Sequence, residues 1–388
     1  MINRKIGVND MTKLSLPLGD RIRKVREEFG FTQGDLAKKA GLGPGQIISQ
    51  IEKGQREIKA YELVRLSRVL NTDLYGLLLQ QDLSSPQLLW RNNLDPEFQK
   101  MKEREFVNRC QEYHGLEELC EFKPQRNLPR FDIDIASLNF NTANRLANDC
   151  SNQLNLGSRP ATCLERLLEN AYGVKIWFMD LSEKGSAACV KGPFGPAILM
   201  NKTEAPWRRN YSFAHELFHL ITWESLPPSL LKSQNRIWQK VEKVAEVFAS
   251  NLLLPADSIL AAFNERVSNH VIKYIDLIGI AREFDVSTQA LLYRLLNLKR
   301  LNKKLVENLL NDPKFKEIDV STMHQHWWDP PEIPERFVRL GFLGYKKGMC
   351  SRARLSSYLQ VSLLDLSEFL HKYGLSEEED YQADIATA

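Results

Sequence analysis

The 388-residue chain is predicted to be mainly α-helical with a small β-sheet, an α+β fold divided among several domains. Three observations lead to that expectation. Apolar residues recur at three- and four-residue spacing over most of the length, the period of helices with one buried face. Residues 174–178 and 187–200 alternate instead, broken by Gly192-Pro193-Phe194-Gly195-Pro196, and read as a few short strands ending at Asn201. The composition, 43% hydrophobic and 26% charged, provides core material for two or three soluble domains.

Several classes are excluded by the same reading. No run of about 18 apolar residues occurs, and the polar start Met1-Ile2-Asn3-Arg4-Lys5 lacks the apolar core of a signal peptide, so a cytoplasmic protein without a membrane partner is expected. The six cysteines include no Cys-x-x-Cys pair, which argues against a disulfide framework or a cysteine zinc knuckle. Cys110, His114 and Cys120 lack ligand spacing and are assigned a structural role. The net charge of +3 is uneven. Residues 1–80 hold 14 Lys and Arg against 9 Asp and Glu, and the remainder 38 against 40, so an anionic partner belongs to the N-terminal fifth.

In that fifth, Ile22, Val25 and Phe29 mark a helix stopped by Gly30. Thr32 caps a second helix with Asp35 completing a box-like pattern, Leu36, Ala37 and Ala40 form its buried face, and Gly41 ends it. A third helix over about 44–53 turns Ile47, Ile48 and Ile51 inward and leaves Gln46, Ser49 and Gln50 outward before Gly54. Two short helices joined by a glycine turn form a helix-turn-helix, whose second helix enters the DNA major groove.

The strings Thr32-Gln33-Gly34-Asp35-Leu36-Ala37, Ile51-Glu52-Lys53-Gly54-Gln55-Arg56 and Leu63-Val64-Arg65-Leu66-Ser67-Arg68-Val69-Leu70 resemble the lambda-repressor-like (XRE-type) helix-turn-helix family over roughly residues 18–80. The resemblance implies a five-helix DNA-binding domain, assigned to residues 1–82, that works on double-stranded DNA as a homodimer. It places Gln33, Gln46, Ser49 and Gln50 at the DNA, with Lys53 and Arg56 available to phosphates. Gly43-Pro44-Gly45 stands where the family more often carries polar readers, which confines base reading to the glutamines. Residues 83–130 are read as a helical linker, with a helix over 96–119 carrying Glu97, Lys100, Lys102, Glu103, Arg104 and Glu105 on a solvated face.

The chemistry concentrates in His215-Glu216-Leu217-Phe218-His219. On a helix, residues four apart share a face, so His215 and His219 can offer two imidazoles to one zinc ion, with Glu216 beside it as general base. A third ligand is found on a downstream helix whose apolar face comprises Ala245, Phe248, Ala249 and Leu252: Glu242, with Glu246 one turn later to accept the second ring N–H of a ligating histidine. Cys189, on the strand approach, is a candidate latency thiol for the metal, although position is the only argument for it and an inert buried cysteine is the favoured reading. The strand before Asn201 is expected to accept substrate as an added strand.

Asn201, the run Phe213-Ala214-His215-Glu216-Leu217 with His219, Glu242 with Ala245, Phe248, Ala249 and Leu252-Leu253-Leu254-Pro255, and Phe284-Asp285-Val286-Ser287 with Arg294-Leu295 resemble the ImmA/IrrE metallopeptidase family over roughly residues 135–300. That resemblance implies a zincin-like domain, assigned to 131–300, with zinc on His215, His219 and Glu242 and with Glu216 catalytic. It further implies cleavage of a helix-turn-helix repressor. Phe218 replaces the family's usual glycine and is expected to narrow the cleft, and Glu246 replaces Asn or Asp.

Residues 301–388 are read as a C-terminal helical regulatory or interaction domain. His324, His326, Trp327, Trp328 and Pro330-Pro331 form a packing plug, short helices follow at 337–343, 351–359 and 363–370 with Ser351 and Ser362 as caps, and the acidic tail 376–381 is disordered. The sequence thus predicts a DNA-binding regulator whose zinc endopeptidase cuts a repressor-type protein in response to a signal. Two alternatives stand beside it: a non-proteolytic repressor or antitoxin-like regulator with a structural or sensory zinc, and a peptidase whose N-terminal domain only docks on a partner repressor.

Overall fold

Apolar spacing and capping residues set the helices of the first of two units, Met1–Ser85 and Pro86–Ala388. The structure, a computed structural model, describes residues 17–70, 86–91, 94–233, 235–323 and 327–377. In the first unit the described helices are α1 (Leu18–Glu28), α2 (Gln33–Ala40), α3 (Gln46–Glu52) and α4 (Ala60–Val69). The fifth helix implied by the resemblance falls outside the described residues. Thr32 and Asp35 form the expected capping box, the Thr32 hydroxyl accepting from the Asp35 N–H at 3.1 Å and the Thr32 N–H donating to the carboxylate at 3.2 Å. Ile22, Val25, Leu36, Ala37, Ile48, Ile51, Leu63 and Leu66 close one core.

Two glycines in this unit are set by close approach rather than by turn geometry. A Cβ on Gly19 would lie 2.3 Å from the Ile51 carbonyl oxygen and 2.7 Å from that of Glu52, and a Cβ on Gly45 would lie 3.0 Å from the Gly34 backbone. The glycine at the entry to α3 therefore serves the packing of α3 on α2, at the expense of a polar reader. Gly19→Ala is expected to destabilise this unit by about 1–3 kcal/mol, read by calorimetry as a lower midpoint for the first unit and an unchanged one for the second. An unchanged first midpoint would show that α1 and α3 do not meet so closely.

The second unit is built on a four-stranded sheet of β1 (Leu89–Trp90), β2 (Lys175–Met179), β3 (Ala187–Gly192) and β4 (Gly195–Asn201), in the order β1-β3-β4-β2. The hairpin β3–β4 pairs Cys189 with Ile198, β2 runs parallel to β4, and β1 runs antiparallel to β3 with Leu89 opposite Cys189. Because side chains alternate between faces, Ile176, Phe178, Ala187, Cys189, Ile198 and Met200 face one core, and Trp177, Met179, Ala188, Val190 and Leu199 face another. Both edges of β4 are occupied. The strand before Asn201 therefore cannot accept a substrate strand, which corrects that expectation.

The first face is covered by α6 (Phe140–Leu154), α7 (Leu164–Asn170), α8 (Pro206–Ile221), α10 (Asn235–Leu253), α11 (Ala256–Arg266), α12 (Tyr274–Glu283) and α13 (Thr288–Asn297), with α9 (Pro228–Ser233) between α8 and α10. Helices α14 (Lys303–Asn311) and α15 (Pro313–Met323) extend the same core through Val306, Leu309 and Phe315. The second face is covered by α5 (Pro96–Leu119) and by α16 (Glu335–Lys346), α17 (Arg352–Leu359) and α18 (Leu366–Lys372). Helix α5 has the bounds read from the sequence and carries Glu97 and Lys100 to the surface, yet Phe106, Val107, Cys110, Tyr113 and Leu116 on its other side are buried against the sheet. A buried polar network joins the layers. Glu117 pairs with Lys175 at 2.7 Å and Arg336 at 2.9 Å, and the Tyr113 hydroxyl donates to Glu169 at 2.9 Å while accepting from Arg336 at 2.9 Å.

Ser351 caps α17, accepting from the Arg354 N–H as expected. Ser362 accepts from the Asp365 N–H but closes a turn rather than capping a helix, because α18 begins only at Leu366, after Asp365. Glu377, read as part of a disordered tail, pairs with Arg352 at 2.7 Å, because a guanidinium at the start of α17 faces it; residues 378–388 lie outside the described set. Trp327 meets Trp207 edge to face at 6.1 Å, and Trp328 stacks on Arg209 at 4.2 Å, so the tryptophans pack over the start of α8. His324 and His326 fall outside the described residues. Among the described residues no single helix is long and apolar enough to cross a membrane.

Candidate metal centre and nucleic-acid interface

Helix α8 is entered from Asn201 at the end of β4. The Asn201 amide donates to the Ser182 and Gly185 carbonyls at 2.8 and 2.6 Å, and Arg209 donates to the carbonyls of Lys202 and Glu204, so the loop before the helix is fixed. Pro206 occupies the first turn, where its missing N–H costs nothing. From Phe213 to Ile221 every residue is buried, since β3 and β4 lie on one side of the helix and α10 on the other.

On that helix His215 and His219 bring their Nε2 atoms to 3.2 Å from each other. Glu242 on α10 places Oε2 3.4 Å from His215 Nε2 and Oε1 3.1 Å from His219 Nε2. The three residues are a group whose ligand atoms all lie within 4.8 Å of one another, and they could hold a metal ion. Two imidazole nitrogens and a carboxylate oxygen form the donor set of a catalytic divalent site. The His215 and His219 Nδ1 atoms and both Glu216 carboxylate oxygens are buried without a hydrogen-bond partner. Beside three converging donors, these are the buried polar atoms that a bound ion or water would satisfy.

Electrostatics agree with the geometry. Burial lowers the His215 pKa to about 4, leaving a neutral ring with a lone pair to donate. Burial also raises Glu216 to about 7, against the pull of His219, Cys189 and Arg91. For Glu242, burial pushes upward but the two imidazoles outweigh it and hold the carboxylate at about 2. His219 is pushed down by burial and raised more strongly by Glu242, a direction consistent with the short contact between them.

Of the other expected residues, Cys189 is buried beside Glu216. Burial, then Glu216 and Glu242, push its thiol well above the ordinary range, and it stands outside the converging triad. Glu246 is not brought to either histidine. One turn beyond Glu242 it is exposed at the rim of a cavity of about 530 Å³ that Arg91, Glu204, Trp207, Tyr211 and Tyr293 also line. Phe218 does not narrow the cleft. It is fully buried, turned away toward Phe248 at 5.4 Å between α8 and α10. Phe218→Ala is expected to cost about 3–5 kcal/mol in denaturant unfolding; stability retained together with an enlarged cleft would contradict this placement.

Sequence reasoning missed Arg91. It follows β1 in a segment without periodicity, its Nη1 donates to Ser212 Oγ at 2.8 Å, and its guanidinium lies over the Tyr211 ring at 5.4 Å.

In the first unit Gln46, Gln50 and Lys53 are exposed along α3, and Ser49 is half-buried. Gln33 donates to Glu52 at 2.8 Å, and Glu52 is itself clamped by Arg26 at 2.6 Å. Arg56 is paired with Glu62 at 2.7 Å, so that buried carboxylate competes with phosphate for it.

The helix-turn-helix family matches residues 22–77, and the IrrE N-terminal-like domain matches residues 169–296. No curated protein matches the chain. Among solved structures, a Mycobacterium tuberculosis transcriptional regulator is similar at 17% identity and a TM-score of 0.31, the match covering 47% of this chain and 51% of that one. This chain thus spans about half the length of that regulator. The chain is a fusion of an XRE-type helix-turn-helix DNA-binding domain with an IrrE-like domain of the ImmA/IrrE peptidase family.

Proposed function

We propose that the protein is a cytoplasmic transcriptional regulator whose second unit is a zinc-dependent endopeptidase acting on a repressor-type protein. The reading rests above all on one observation: His215, His219 and Glu242 converge beside the buried, unpartnered carboxylate of Glu216. A bound zinc ion supplies Lewis-acid polarisation of the peptide carbonyl and of the attacking water. Glu216 takes a proton from that water as its oxygen bonds to the carbonyl carbon. As the carbon–nitrogen bond breaks, Glu216 returns the proton to the leaving amine. The cavity beside Tyr211 and Ser212, one helical turn before His215 and Glu216, is where the polypeptide would lie.

For the first unit, Gln46 and Gln50 are the residues suited to adenine, Lys53 to phosphate, and Gln33 to holding α2 against α3 through Glu52. Two such units on adjacent half-sites would give a homodimer. The helices after residue 301 supply the surface on which a signal or partner would act.

The test is incubation of the zinc-loaded full chain with helix-turn-helix repressors encoded beside it, following each by gel. Cleavage by wild type and not by Glu216→Gln is expected. Repressors left intact by a fully zinc-loaded wild type would overturn the peptidase reading and favour a sensory metal. DNA binding with unchanged sequence preference in the double variant Gln46→Ala, Gln50→Ala would contradict the assignment on α3.

A further inference from the structure

We propose that Arg91 is a catalytic residue of the second unit, donating to the carbonyl oxygen of the scissile peptide as that oxygen gains negative charge. The assignment rests on the peptidase reading above. Arg91 comes from outside the matched domain, just after the first unit ends. It is held there by an integral strand: Leu88 and Leu89 are buried in opposite cores, and the Arg91 N–H continues the ladder by donating to the Ala187 carbonyl at 3.2 Å.

Alternation along β1 turns Leu89 and Arg91 toward the metal helix. The guanidinium is fixed from two sides, by Ser212 Oγ at 2.8 Å and by the Tyr211 ring, and it lines the cavity. Ser212 lies one turn before Glu216, so the side chain is anchored beside the general base. Among the described residues no carboxylate pairs with Arg91, which leaves N–H groups for a ligand.

The competing donors are less suited. The Tyr211 hydroxyl is committed to the Glu246 carbonyl at 2.7 Å. Arg208 also lines the cavity, but it stands two turns before Glu216, roughly 12 Å along the helix.

In the step itself, the water oxygen bonds to the carbonyl carbon, its proton passes to Glu216, and the carbonyl π pair moves onto oxygen. Arg91 shares an N–H with that oxygen and keeps its proton. Loss of one such donor typically lowers kcat by about 10²–10³-fold.

The experiment measures binding to the zinc-loaded full chain by calorimetry. One ligand is N-phosphoryl-leucyl-phenylalanine, a tetrahedral anion; the other is leucyl-phenylalanine hydroxamate, which lacks one. Arg91→Ala is expected to weaken the phosphoryl ligand at least tenfold and the hydroxamate less than threefold, with Arg91→Lys between. Ethylguanidinium should partly restore the loss in Arg91→Ala. Equal affinity of wild type and Arg91→Ala for the phosphoryl ligand would overturn the proposal. So would an equal loss for both ligands with a lowered midpoint of the second unit, which is the signature of a strand anchor. A wild type that takes up no zinc would instead remove the peptidase reading itself, and this assignment with it.

Discussion

Glu216→Gln is expected to lower peptide hydrolysis by about 10²–10⁴-fold while the chain keeps its metal. The substitution preserves shape in a site where both carboxylate oxygens are buried, so the loss would report the missing carboxylate rather than a change of packing. It carries a second, opposite consequence for stability in the metal-free chain. Burial raises the folded pKa of Glu216 to about 7 from an ordinary value of 4.5. A carboxyl with a raised folded pKa favours the fold fully below its unfolded pKa, and that advantage is lost as pH rises through the folded value. Metal-free Glu216→Gln should therefore gain stability over wild type on going from pH 5 to pH 8, by up to roughly 3 kcal/mol. Denaturant unfolding at both pH values checks this, and a difference independent of pH would contradict the buried-carboxyl picture.

Glu242→Ala is expected to abolish stoichiometric zinc binding, with an affinity loss of more than about 100-fold. The carboxylate is one of three converging donors, and the two imidazoles left on α8 make an incomplete set. The helix should survive, since Val241, Val244, Ala245, Phe248 and Ala249 carry its packing. Wild type should also gain about 2.7 kcal/mol of unfolding stability when free zinc is 100 times its Kd, and the variant should gain none. Metal analysis after dialysis and unfolding with and without zinc provide both readouts. A variant that retains one zinc would place the third ligand elsewhere.

Much of this site was legible because its signals are local. A four-residue histidine spacing fixes one helix face, and the apolar run Ala245, Phe248, Ala249 and Leu252 shows that a second helix must press against something. The capping box at Thr32 and the hairpin between Ala187 and Asn201 were legible for the same reason.

The missed features depend on partners distant in sequence. A two-residue strand such as Leu89–Trp90 has no period to detect, so neither the closed edge of β3 nor Arg91 could be foreseen. Helix α5 carries enough charge to pass for a solvated connector, and its other side is explained only by the sheet and by Arg336 far downstream. Gln33 and Arg56 look free in the sequence because their carboxylate partners, Glu52 and Glu62, are chosen by packing. Phe218 was misplaced because a motif gives spacing along a helix, whereas the side facing Phe248 is set by α10.

The most direct test of an open catalytic zinc centre is X-ray absorption at the zinc edge on the zinc-loaded full chain. The predicted first shell contains only nitrogen and oxygen at about 2.0–2.2 Å, from two imidazoles, one carboxylate and water. A sulfur at about 2.3 Å, as Cys189 would supply, or four protein donors with no water, would contradict it.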